Sequence, residues 1–338
     1  MKYKYALITG ITGMVGSHML DFLIEHTDWI IYGLYRWRSP LDNIAHQVSR
    51  INSFDRIKLF MGDITDIVSL QPLFSAQKFD YVFHLAAQSY PHTSFDSAAN
   101  TYATNIFGTE NILKCVKDYC SDAVVHICSS SEVFGRVPSE YVPINEECRF
   151  HPASPYAISK CAADLIGRYY AEAYGINTQI TRMFTHTGPR RGDVFMESSF
   201  AKQIALIEHG FIPPIVHVGN LDSLRTLADV RDAVQAYFLV VTSDPIPGSY
   251  YNIGGTTTMS VNEILKSLIA LSTVNCITYF IDPSRLRPID ADLQIPDVKK
   301  FIAKTAWRPR YTASQTLNDL LNYWRGKVSS FGNVFIQR

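Results

Sequence analysis

Short apolar runs alternate with helix-length amphipathic segments over the first half of the chain. Runs of strand length occupy residues 5–9, 29–35, 57–61, 80–86, 124–129 and 177–183. Between them, residues 16–25, 104–117 and 156–174 repeat apolar positions at three- and four-residue spacing, which predicts helices. Strands alternating with helices predict a parallel sheet covered by helices on both faces.

The pattern changes after Thr185. Loops rich in Gly, Pro and Arg appear, such as Gly188-Pro189-Arg190-Arg191-Gly192, with helical segments at 198–208, 230–241 and 261–271 between them. The expected fold class is α/β: a Rossmann-type doubly wound parallel sheet with a smaller mixed α/β lobe over its carboxyl edge. The expected division gives the sheet domain residues 1–184 plus part of 229–255. The lobe takes 185–326, and a polar tail over 327–338 is expected to fray. No repeat or low-complexity tract interrupts this organisation.

Composition narrows the function classes. The chain has 338 residues, 47% of them hydrophobic, and 31 basic residues balance 31 acidic ones. That balance argues against a nucleic-acid binder, and no apolar run reaches the ~20 residues of a membrane span. The first residues, Met1-Lys2-Tyr3-Lys4-Tyr5, lack the shape of a signal peptide. Cys115, Cys120, Cys128, Cys148, Cys161 and Cys276 show neither Cys-x-x-Cys pairs nor His partners at ligand spacing. They read as reduced thiols of a cytoplasmic protein with no metal site.

The first strand runs into Gly10-Ile11-Thr12-Gly13-Met14-Val15-Gly16 and then a helix. Glycines there permit a tight turn, close approach of a pyrophosphate and close helix–strand packing, and the helix N-terminus offers free N–H groups to phosphate. This segment predicts a dinucleotide site that includes Thr12, Met14 and Val15. No acid lies between Ile30 and Pro40 to bind a ribose 2′-hydroxyl, whereas Arg36 and Arg38 can pair with a 2′-phosphate. NADP is the expected cofactor, with NAD possible. Asp63 and Ile64, after the third strand, are placed to meet adenine, although Asp63 equally suits a turn or cap.

The chemistry is concentrated in Ser129-Ser130-Ser131-Glu132 and in Tyr156-Ala157-Ile158-Ser159-Lys160. Four residues apart, Tyr156 and Lys160 share a helix face. The ammonium, together with the cofactor's positive nicotinamide, is expected to lower the phenol pKa so that Tyr156 acts as general base toward an alcohol, bridged by Ser130. Glu132 adds a carboxylate able to remove a proton from carbon. With C4 of a sugar oxidised to a ketone, the C5 proton becomes acidic. The same acid can then protonate the departing C6 hydroxyl. The alternative for Glu132 is a turn cap or a partner for an arginine.

These residues resemble the extended short-chain dehydrogenase/reductases, and within them the GDP-mannose 4,6-dehydratase family, over nearly the whole chain. Gly10/Gly13/Gly16, Leu85-Ala86-Ala87-Gln88-Ser89, Asn105, Ser130-Ser131-Glu132 and Tyr156/Lys160 carry the likeness. The resemblance implies cofactor contacts from Leu85, Ala86 and Ala87. It implies a GDP-linked sugar substrate held by Ser89, Ser131, Thr185, Arg190, Lys202, Arg225 and Arg287, and a homodimer or homotetramer. Departures at Pro91-His92, Thr185 and Thr226-Leu227-Ala228 bear on the sugar, a GDP-hexose or a GDP-heptose. A GDP-4-keto-6-deoxy-sugar reductase or a nucleotide-sugar 4-epimerase is the alternative on the same fold.

Overall fold

The computed structural model describes residues 3–53, 55–286 and 293–332. Seven parallel strands form the main sheet. Their spatial order is Ser249–Ile253, Asn177–Met183, Val124–Cys128, Tyr81–His84, Tyr5–Thr9, Ile30–Tyr35 and Ile57–Met61. The order reverses between Tyr5–Thr9 and Tyr81–His84. That is the switch point at which open α/β sheets bind ligands beyond their carboxyl ends.

Two apolar clusters cover the two faces. On one, Met19, Leu20 and Leu23 of the Met14–His26 helix meet Ala233, Tyr237 and Val240 of the Val230–Thr242 helix. On the other, Leu70 and Phe74 of Ile67–Ala76 pack with Ile112 and Val116 of Gly108–Tyr119. Segment 229–253 therefore adds a helix and an edge strand to the large sheet.

A four-stranded sheet in the second lobe centres on Leu224–Asp229. It pairs with Thr257–Ser260 antiparallel and with His186–Thr187 and Leu293–Gln294 in parallel. The helices Met196–Glu208, Val261–Ala270 and Ala313–Phe331 share the lobe's own apolar cluster through Phe200, Ile264 and Leu320.

Three local differences from the sequence reading have physical causes. Residues 327–331 continue the Ala313–Phe331 helix, because Trp324 and Val328 are buried in the lobe's cluster, and the rest of the expected tail, from 333, lies outside the described residues. The single helix expected over 104–117 is two segments, a π-helical turn at Ala103–Phe107 and the helix Gly108–Tyr119, preceded by the short helix Ala98–Tyr102. The turn's wider helical path places Asn105 opposite the loop after Tyr81–His84, where its side chain is used twice. Pro91 opens a short helix, Pro91–Asp96, at the position where its missing N–H costs no helical bond.

One buried ion pair fixes the long helix Pro155–Tyr174 on the sheet. Arg182 Nε lies 2.8 Å from Asp164 Oδ2 and its Nη1 donates to the Glu146 carbonyl at 2.7 Å. Its guanidinium also rests 4.7 Å from the Phe150 ring centre and 4.4 Å from that of Tyr250. Partners on every side are what allow a charge to stay at this depth.

Candidate active site

A cleft of about 890 Å³ runs from the glycine loop, past the end of the Val124–Cys128 strand, to the second lobe. Its floor at the switch point is backbone. Gly10 has φ +69°, and a side-chain carbon there would come within 2.8 Å of Ala86 Cα. A side-chain carbon on Gly16 would overlap the Gly10 carbonyl. Gly13 N–H donates to Gly10 O at 3.0 Å, and Asn43 Nδ2 ties down the Thr12 carbonyl at 3.0 Å. Gly10, Thr12, Gly13, Met14, Val15 and Gly16 all line the cleft, at the N-terminus of Met14–His26. This cradle fits a dinucleotide pyrophosphate by shape and by its free N–H groups.

Thr9 Oγ1 accepts from the N–H groups of Leu85 and Ala86, both at 3.1 Å, so the loop Leu85-Ala86-Ala87 forms the next stretch of wall. Asp63 and Ile64 face the far end of the same cleft. Asp63 Oδ1 accepts from Thr65 N at 2.9 Å, so the turn role read from sequence is present at a cleft position. Arg36 lines the cleft, while Arg38 is exposed and outside its lining.

Tyr156 and Lys160 project from the first turns of Pro155–Tyr174, whose start is fixed by Ser154 Oγ accepting from Ala157 N at 3.0 Å. Lys160 Nζ donates to the Cys128 carbonyl at 2.7 Å and lies 5.9 Å from the Tyr156 ring centre. Asn105 accepts from Gln88 N at 2.8 Å and donates to Ser159 Oγ at 2.9 Å, which joins the cofactor loop to this helix. Ser130 lies two residues past the Val124–Cys128 strand and caps the 3₁₀ turn Ser131–Phe134, accepting from Glu132 N at 3.2 Å. Ser130, Ser131, Glu132, Tyr156 and Lys160 thereby line one wall.

Burial pushes the Tyr156 phenol above its ordinary range, opposed by the Ser130 hydroxyl and the Arg191 guanidinium. Burial lowers the Lys160 pKa, and its ammonium donates to the Cys128 carbonyl. Sequence spacing places two side chains on one face without saying which partner each selects.

Ser89, Thr185, Arg190 and Arg225 also line the cleft. Arg190 has φ +68° and binds Asp21 Oδ2 at 2.7 Å, so the loop after Gly188 is held against the Met14–His26 helix. Lys202 lies outside the lining and is paired with Asp193 at 3.0 Å. Arg287 lies outside the described residues. Sequence reading missed Glu197 as a lining residue, and it singled out the segments of Arg191 and Arg285 without choosing these two arginines. Arg285 follows an Asp-Pro-Ser turn, with Asp282 accepting from Ser284 N at 3.0 Å, and that turn was the available signal for it. Among the described residues there is no His, Cys, Asp or Glu cluster fit for a metal, and no helix long and apolar enough to cross a membrane. All six cysteines are free thiols.

A dinucleotide cradle beside a Ser-Tyr-Lys wall defines an extended short-chain dehydrogenase/reductase. The family model described as GDP-mannose 4,6 dehydratase matches residues 7–320, and the chain belongs to that family. GDP-mannose 4,6 dehydratase of Drosophila melanogaster is 30% identical, over 94% of this chain and 85% of the relative. GDP-6-deoxy-D-mannose reductase of Pseudomonas aeruginosa is 29% identical, over 95% of this chain and 97% of the relative. Among solved structures, RMD from Pseudomonas aeruginosa complexed with NADPH superposes with a TM-score of 0.81 at 28% identity, covering 96% of this chain and all of that one.

Proposed function

We propose that this chain is a GDP-sugar 4,6-dehydratase that uses NADP and yields a GDP-4-keto-6-deoxy sugar. The observation that carries the reading is Glu132: a carboxylate on the strand-end turn, in the same wall as Ser130, Tyr156 and Lys160. Hydroxyl oxidation alone needs the last three. Only removal of a carbon-bound proton and loss of a hydroxyl call for the first.

The Gly10–Gly16 cradle would hold the nicotinamide cofactor, which would supply the redox chemistry for C4 oxidation and for hydride return to C6. Tyr156 takes the C4 hydroxyl proton, with Ser130 bridging phenol and substrate oxygen. The burial that raises this phenol's pKa makes a cationic ring in the same cleft its natural counter-charge. Glu132 removes the C5 proton, acidified by the C4 ketone, and gives a proton to the leaving C6 hydroxyl. Arg36, with no competing acid on the Ile30–Tyr35 strand, supports NADP over NAD. Arg225 and Ser131 are assigned to the sugar nucleotide.

Two copies are proposed to associate through the Pro155–Tyr174 helix. Up to Tyr169, its exposed positions are Ile158, Leu165 and Tyr169, and Phe107 stands exposed nearby in sequence to the adjoining helix. A helix apolar on both sides is a buried helix. The free thiols fit a cytoplasmic protein.

Incubation with NADP and a panel of GDP-hexoses and GDP-heptoses, followed by mass spectrometry, tests the activity. Loss of one water from one substrate, without consumption of added NADPH, is expected. The reductase relative makes the opposite result meaningful: stoichiometric NADPH oxidation with gain of two hydrogens would replace the dehydratase reading.

A further inference from the structure

Three aromatic rings stand side by side in the cleft, and the mechanism above uses none of them. Tyr90 and His92 lie where the loop after Tyr81–His84 enters the helix Pro91–Asp96. Phe195 comes from the second lobe, one residue before Met196–Glu208. The Tyr90 and His92 rings are stacked, with centres 5.9 Å apart and planes 17° apart. Phe195 meets Tyr90 edge to face, with centres 5.7 Å apart. The Arg191 guanidinium lies over the Phe195 ring at 3.5 Å.

This wall is open to a ligand. Each ring is half-buried, and apolar ring surface that meets water favours whatever covers it. Among the described residues, neither the Tyr90 hydroxyl nor the His92 ring nitrogens meet a hydrogen-bond partner, and these atoms are not buried. His186, the other histidine on the cleft, differs: its Nδ1 lies 3.4 Å from the Phe184 carbonyl.

Both ends of the wall are tied to the position of Tyr156. Ser94 Oγ accepts from Tyr156 N at 3.1 Å and donates to Pro91 O at 2.5 Å, which pins the helix carrying His92 to the helix carrying Tyr156. At the Phe195 end, the Arg191 charge is close enough to the Tyr156 phenol to oppose the rise of its pKa. A pyranose carries C–H groups on its faces and hydroxyls on its rim. It calls for an apolar ring to lie against and, beside it, a group that can both donate and accept. A neutral imidazole does both. A guanine also stacks, but a ribose and a diphosphate separate it from the carbon that Tyr156 serves.

We infer that Tyr90, His92 and Phe195 form the wall against which the sugar lies, with the Tyr90 ring on a C–H face and the His92 imidazole on a hydroxyl. This rests on the GDP-sugar reading above and adds to it the residues that select the sugar.

The test is calorimetry on the NADPH-loaded protein, in which C4 oxidation cannot start. For each variant the ratio of GDP-mannose to GDP affinity is measured. Tyr90→Ala is expected to lower that ratio about 10-fold, whereas Tyr90→Phe, which keeps the ring, should lower it less than about twofold. His92→Phe keeps a ring and removes the hydrogen-bonding nitrogens. It should lower the ratio about 3- to 10-fold, the worth of one hydrogen bond between neutral groups, with GDP and NADPH affinities unchanged. An unchanged ratio in either Tyr90→Ala or His92→Phe overturns the inference. So does an equal fall in GDP affinity, which would leave the rings only a propping role between the lobes or a place under the nucleotide. Tyr90→Leu and His92→Leu, which retain bulk, carry the same expectations if the first variants misfold. If GDP-mannose and its heptose counterpart bind the unmodified protein no better than GDP, the substrate reading itself fails, a result visible before any variant is made.

Discussion

The two ends of the cleft are built from different materials. At the proposed cofactor end the lining is backbone in one continuous stretch, Gly10 to Gly16, with Leu85 to Ala87 beside it. At the proposed substrate end it is side chains on separate segments: Arg191 and Glu197 flanking Phe195, Arg225 on Leu224–Asp229, and Arg285 on a 3₁₀ turn. A backbone cradle is encoded by the absence of side chains at fixed spacing, so it cannot vary without failing. A side-chain wall leaves its scaffold intact when one group changes, so it is where one fold can serve different sugars.

Variants should separate the two ends, and the wall between them should show the largest effect. Glu132→Gln is expected to reduce water elimination about 100- to 10,000-fold, the usual span for a general acid–base group. NADP and GDP should still bind. Full activity in that variant, read by product mass, would remove the reason for calling the enzyme a dehydratase.

Next in size, Gly16→Ala places a carbon into the Gly10 carbonyl and forces the turn to move. NADP affinity should fall on the order of 100-fold, while GDP affinity changes far less. A parallel fall in both would mean that the two ends fold as one unit and that the contrast drawn here is wrong. Arg225→Ala is the mirror experiment. GDP affinity should drop about 10- to 100-fold through loss of a charge-assisted phosphate contact, with NADP titrations unmoved.

The same contrast explains what could be read in advance. The parallel sheet with helices on both faces follows from the alternation of strands and helices, and the glycine turn and the Ser130–Glu132 and Tyr156–Lys160 wall follow from local spacing. Lys202 lies outside the cleft lining and pairs with Asp193, nine positions away on another segment, a pairing that spacing does not announce. Arg190 and Arg191 look equivalent in sequence. What separates them is a left-handed backbone at Arg190, which no periodicity announces. The helix past Gly326 was hidden by polar residues on its exposed face, with Val328 as the inward position.

The smallest predicted effect concerns the tie between the two ends. Asp21, on the helix that opens the cofactor cradle, holds Arg190 at 2.7 Å and His46 at 2.6 Å. Burial works to raise its pKa, but the bonds from His46, Gln47 and Arg190 outweigh it and hold the carboxyl below its ordinary 3.8. The unfolded chain therefore binds that proton more readily than the folded one. The stabilisation is complete above the ordinary value and is lost as pH falls through the lowered one. Asp21→Asn should cost about 1 kcal/mol at neutral pH, because the pair is partly exposed and screened. That difference from the unmodified protein should shrink toward zero in strongly acidic buffer, as measured by urea denaturation. A cost independent of pH would assign Asp21 a packing role. The strained turn at Arg190 would then hold its shape without the ion pair, and the ends of the cleft would be joined by the shared core alone.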